Sequence, residues 1–128
     1  KTRHLVCLDL LENICWHCGD LFNWFEGREG AYDLVWEHTC FSAIPPGKRV
    51  DYAAAMSALI RTGGYLFGIF FPNPDHPCGE GPPFHVSLNE LHELFDKAFT
   101  LEWSGEPSKT YESREGGGRE LSMLWRRK

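Results

Sequence analysis

The sequence predicts a doubly wound α/β fold with a mainly parallel sheet. Three observations carry that expectation. Residues 32–36 form an apolar run that ends on the polar pair Glu37-His38, residues 51–61 are amphipathic, and residues 65–71 form a second apolar run. Strand, helix and strand in that order make a parallel pair, because a parallel return needs a crossover of a dozen residues or more. In open sheets of this kind the ligand crevice lies outside the carboxyl ends of the strands. Glu37 and His38 therefore stand where chemistry is expected.

Each element has a local reason. Residues 5–10 (LVCLDL) are an apolar run broken by Asp9, and residues 14–18 are a second strand candidate, with Cys15 and Cys18 as buried strand cysteines. Residues 19–22 read as the end of that strand, and residues 23–30 as polar turns. Within 51–61, Tyr52, Ala55, Met56, Leu59 and Ile60 fall on one helical face, with Arg61 and Gly63 as the stop signal. Residues 65–71 are apolar throughout, as expected of a strand buried on both faces. Residues 72–84 carry five prolines and two glycines and read as irregular loop. Ser87 and Glu90 have the spacing of a capping box, ahead of a helix with Leu88, Leu91, Leu94, Phe95 and Ala98 on one side. Phe99, Leu101 and Trp103 alternate, as do Leu121, Met123 and Trp125. They predict two amphipathic strands around a polar loop that holds Gly116, Gly117 and Gly118.

Composition bounds the function. The chain of 128 residues suits one domain over 1–128, and 42% hydrophobic with 14% aromatic content excludes disorder. A net charge of −5 argues against a nucleic-acid partner. The basic group Arg119, Arg126, Arg127 and Lys128 reads as a solvated strand end. No apolar run is long enough to span a membrane, and no leader is readable at Lys1. Five cysteines at irregular spacing make a poor disulfide framework and suit a reducing cytoplasm. Cys15 and Cys18 form a lone C-x-x-C without a second ligand pair, which leaves a small zinc or redox protein as a third reading.

Asp9 ends its apolar run where nucleotide-binding folds place an acid on ribose hydroxyls. Adjacent strand residues point to opposite faces, so at most one of Glu37 and His38 faces a ligand. The words YDLVWEHTCFSAIPP, GGYLFGIFFP, DHPCGEGPPFHVS and SREGGGRELSMLWRRK, within residues 14–128, resemble the thiopurine S-methyltransferase family, and within it the thiol and halide methyltransferases. The resemblance implies a class I, Rossmann-like methyltransferase with S-adenosylmethionine as cofactor. The methyl acceptor it implies is a small soft nucleophile: a thiol, sulfide, thiocyanate or halide. It places Asp9 on the cofactor ribose and Asp20 against the adenine amine, with Leu21, Phe22 and Trp24 near the ring. Glu37 and His38 join this cofactor group, although the family commonly shows Asp-Tyr there.

Phe41, Pro45, His76 and Phe84, from the loops after the two central strands, are expected to form an apolar wall for the acceptor, with Arg114 steering an anion. Transfer from a sulfonium is an in-line displacement, helped by alignment and exclusion of water. A thiolate or halide needs little general base, so no catalytic group and no metal is assigned.

The resemblance fails at the amino end. No glycine-rich turn precedes Asp9, and the step from Leu10 to Ile14 is too short for a parallel crossover. The expectation is that residues are missing before Lys1 and between Asp9 and Cys15, leaving an incomplete domain. Taken literally, the chain is expected to be an inactive homo-oligomer that repairs its unpaired strand edges. The competing function is a noncatalytic relic or interaction module of the same fold.

Overall fold

The computed structural model describes residues 12–72, 79–109 and 120–128. Asp9, the 5–10 run, His76, Arg114 and the triple glycine lie outside the described residues. The elements in chain order are β1 (Tyr32–His38), α1 (Cys40–Ala43), α2 (Arg49–Leu59), β2 (Ile60–Phe70), α3 (Leu88–Phe95), β3 (Phe99–Gly105) and β4 (Leu121–Arg127), with 3-10 turns at Leu21–Asn23 and Pro46–Lys48.

β1 and β2 pair in parallel from Leu34↔Tyr65 to His38↔Ile69, joined by α2 as expected. The sheet order is β1-β2-β4-β3, and both pairs made by β4 are antiparallel. The described sheet is therefore mixed rather than mainly parallel, because β4 returns between β2 and β3. Among the described residues, no helix is long and apolar enough to cross a membrane.

The expected helix over 51–61 is displaced. It spans Arg49–Leu59, and Ile60 takes extended angles (φ −86, ψ 127) to begin β2 directly. Gly63 is thus no helix stop. It lies with Gly64 in a long irregularity between the pairs Tyr32↔Ile60 and Leu34↔Tyr65. A Cβ on Gly64 would come within 2.8 Å of the Asp33 carbonyl oxygen, so close backbone approach requires glycine there. The Arg61 Nε donates to Asp33 Oδ1 across the same irregularity.

One face of the sheet is sealed. Tyr52, Ala55, Met56 and Leu59 of α2 and Leu91 and Phe95 of α3 join Leu66, Phe70, Met123 and Trp125 in a single buried cluster. Phe41 stands between them, 5.6 Å from Tyr52 and 5.6 Å from Phe70 in edge-to-face pairs. Each such ring contributes ~1.5–3 kcal/mol by burial. The other face is partly open. Register places Leu34 with Tyr65 and Trp36 with Phe67, yet Leu34 is 55% and Trp36 68% exposed. The expectation that 65–71 is buried on both faces fails, because the described helices cover only one.

Residues 14–18 form no strand. Cys15 and Cys18 are exposed free thiols rather than buried ones. Within the same stretch the His17 ring packs on Trp24, the ring centres 4.6 Å apart. Residues 20–23 are a capped 3-10 turn, not a strand end.

Ser87 caps α3 as expected, its Oγ accepting from the Glu90 amide at 3.1 Å. The Glu90 carboxylate goes instead to Arg49. Leu88 is 45% exposed at the start of the helix, outside the buried stripe. In β3 the alternation breaks, since Leu101 pairs with Trp125 but Trp103 with Leu124. The extra residue, Glu102, is a bulge that turns Trp103 to the open face, where it is 50% exposed.

Candidate functional site at the strand ends

β1 and β2 finish side by side, and α1 closes over their ends. Glu37 points to the sealed face and His38 to the opposite one, as the two-residue period requires. Glu37 is only 3% exposed. Its Oε1 accepts from the Phe41 amide at 2.8 Å, and the Cys40 amide lies near the carboxylate. Its Oε2 is buried without a hydrogen-bond partner among the described residues. Burial pushes the carboxyl up from its ordinary value, and the two amides draw it partly back. The Cys40 thiol is also pushed up, first by burial and then by the Glu37 charge. Burial raises the Tyr52 hydroxyl well above the usual tyrosine range, with smaller contributions from Glu37 and Cys40.

The turn that carries these contacts is constrained. Thr39 sits at φ 66, ψ −5, a left-handed conformation uncommon for a β-branched residue. Ser42 Oγ donates to the Thr39 carbonyl at 3.3 Å, and the Ser42 carbonyl accepts from the Phe84 amide at 2.7 Å. That second bond ties the proline-rich loop to α1. Glu37, Thr39, Ser42, Phe70 and Val86 line a cavity of about 10 Å³ at this junction.

Of the expected acceptor wall, Phe41, Pro45 and Phe84 gather around α1. The Phe41 ring is 1% exposed and belongs to the core, with the Arg49 guanidinium 4.7 Å from its centre. Pro45 is exposed and leads into the Pro46–Lys48 turn. Phe84 is half-buried and is held through Ser42.

The expected adenine group divides. Asp20 Oδ1 accepts from the Phe22 amide at 2.9 Å, capping its own turn. Asp20 and Phe22 line a groove of about 350 Å³ with Lys48 and Asp51. Leu21 and Trp24 line a separate, largely apolar cavity of about 470 Å³ with Tyr32, Leu34 and Met56.

Three residues of the site escape a reading by pattern. Thr39 and Ser42 act through backbone geometry, which composition does not display. Arg49 is buried, donating to the Ile44 and His85 carbonyls and to Glu90, so it clamps α2, the loop and α3 together. Its only sequence signal is a charge at the start of an amphipathic helix.

Known proteins match this arrangement. The family model for thiopurine S-methyltransferase (TPMT) matches residues 6–124. A thiopurine S-methyltransferase of Photobacterium profundum is 30% identical over 107 residues, 83% of this chain and 48% of that protein. A protein of Arabidopsis thaliana named probable thiol methyltransferase 2 is 36% identical over 75 residues, 59% of this chain and 31% of its own length. Among solved structures, TehB from Haemophilus influenzae superposes with a TM-score of 0.60 at 25% identity, covering 91% of this chain and 43% of TehB. The chain thus spans half or less of the length of the curated relatives it matches here. With the match running over nearly all of its residues, the chain belongs to the thiopurine S-methyltransferase family.

Proposed function

We propose that the chain carries part of an S-adenosylmethionine-dependent methyltransferase acting on a small soft nucleophile such as a thiol, sulfide, thiocyanate or halide. The observation that supports it best is the parallel β1–β2 pair whose carboxyl ends meet α1 and the Phe84 loop in a chain of this family. The relative named as a thiol methyltransferase favours the soft acceptor.

The described residues fit one end of the cofactor. The groove at Asp20 and Phe22 has the size and the aromatic wall for a purine, and among the described residues Asp20 Oδ2 has only a long 3.5 Å contact with Asn23, leaving it able to accept from an amine. When bound, the cofactor supplies an electrophilic methyl group. The chain's own residues orient the purine and exclude water at the strand ends. The free Cys15, Cys18 and Cys40 suit a reducing compartment.

Calorimetry of the full protein with S-adenosylmethionine, compared with Asp20→Ala, tests the reading. Loss of the acceptor should weaken binding by ~1–3 kcal/mol. Unchanged affinity would move the purine elsewhere, and no binding at all would reject the enzyme. The open face bearing Leu34, Trp36 and Trp103 favours a second reading, an interaction module, which that last result would support.

A further inference from the structure

We propose that Glu37 is a positioning residue for the methyl acceptor, fixing the acceptor side of the cleft from beneath without touching the cofactor. The inference rests on the methyltransferase reading and adds a residue role to it.

The physical case begins with burial. A carboxylate that is 3% exposed is costly to keep, and among the described residues no lysine or arginine pairs with it. What it has instead is the start of α1. Oε1 takes the Phe41 amide at 2.8 Å, supplying the acceptor that a four-residue helix without a side-chain cap lacks at Thr39. With that amide held, Thr39 is kept left-handed and Ser42 is brought back onto the Thr39 carbonyl. The Ser42 carbonyl then receives the Phe84 amide at 2.7 Å. One buried side chain is in this way linked, in three steps, to the loop expected to face the acceptor.

The second oxygen points to the same role. Among the described residues Oε2 has no partner, and Glu37 lines the cavity of about 10 Å³ at the junction of turn, strand ends and loop. That is room for about one water molecule. A bridging water there would join Glu37 to the loop a second time. Packing alone does not call for a carboxylate at this position, since an apolar side chain would fill it without an orphaned oxygen.

The test compares Glu37→Gln and Glu37→Ala in the full protein, with hydrosulfide as acceptor and S-adenosylmethionine binding measured by calorimetry. Glutamine keeps an acceptor oxygen and should hold the hydrosulfide KM within about twofold. Alanine should raise that KM about tenfold or more while the S-adenosylmethionine Kd stays within about twofold. In parallel, amide exchange at Phe41 and Phe84 should speed about tenfold in the alanine variant, with Leu91 and Trp125 unaffected. Should alanine fail to fold, Glu37→Asp, which withdraws the carboxylate from Phe41, is measured in the same way. An unchanged acceptor KM, an equal loss of cofactor and acceptor, or a glutamine variant as impaired as alanine overturns the proposal. If the unaltered protein transfers no methyl group, the functional reading fails on its own. The exchange arm still decides, and an unaffected Phe84 amide rejects the link.

Discussion

Arg49 and Glu90 are 41 positions apart in sequence, yet one guanidinium nitrogen of Arg49 lies 2.8 and 2.7 Å from the two oxygens of Glu90. Arg49 is 1% exposed and Glu90 28%, so the contact is half interior and half wet. Removing the arginine strands Glu90 and frees the His85 and Ile44 carbonyls. Arg49→Met should lower stability by ~2–4 kcal/mol, the lower part of the range for breaking a buried pair because Glu90 keeps some water. Urea unfolding measures it, and a loss under ~1 kcal/mol would mean that the clamp is incidental.

Glu37 gives the protein a pH signature. Its ordinary value is 4.5 and burial raises it in the folded state. The native state therefore holds more protons than the unfolded one above that value, and stability falls as pH rises through the folded titration. Glu37→Gln should remove this component, so the variant should gain on the unaltered protein between pH 4.5 and neutrality. Parallel stability curves for the two across that window would contradict the shift.

Gly64→Ala tests the close approach of β2 to β1. The added carbon would meet the Asp33 carbonyl at 2.8 Å and the Ile60 side chain at 2.8 Å. Neither backbone nor core can easily give way, and a cost of ~1–3 kcal/mol is expected in thermal or urea unfolding. A neutral result would show that the irregularity in β2 adapts.

The open sheet face is expected to make the chain adhesive. Trp36 is 68% exposed beside Leu34 at 55%. Trp36→Lys should leave stability within ~0.5 kcal/mol while reducing dye binding and concentration-dependent association. Light scattering that shows no association before or after the change would count against an adhesive face.

Much of the fold was legible because it depends on period and order. The β1–α2–β2 unit followed from apolar runs around an amphipathic segment, and the opposite directions of Glu37 and His38 followed from strand pleat alone. Other features are non-local. The stop of α2 at Leu59 comes from Ile60 joining the sheet, which outweighs the nearby glycine signal. The orientation of Trp103 depends on a single bulged residue, and one extra residue reverses every later side chain. At the site, Glu90 was expected to reach back to its own helix. It turns instead to an arginine 41 positions earlier, which local spacing does not reveal.

β4 comes last among the described strands but lies between β2 and β3, which share no ladder of their own. During synthesis on the ribosome, β2 and β3 must therefore wait as separate apolar edges until Leu121–Arg127 has been made. Closure depends on pairings such as Tyr65 with Arg126, some sixty positions apart, which are slow to find. The nascent chain is most vulnerable just before its central strand emerges. A chaperone or a second nascent chain would compete for that gap, and a truncation before Leu121 would leave the sheet open at its middle rather than trimmed at its margin.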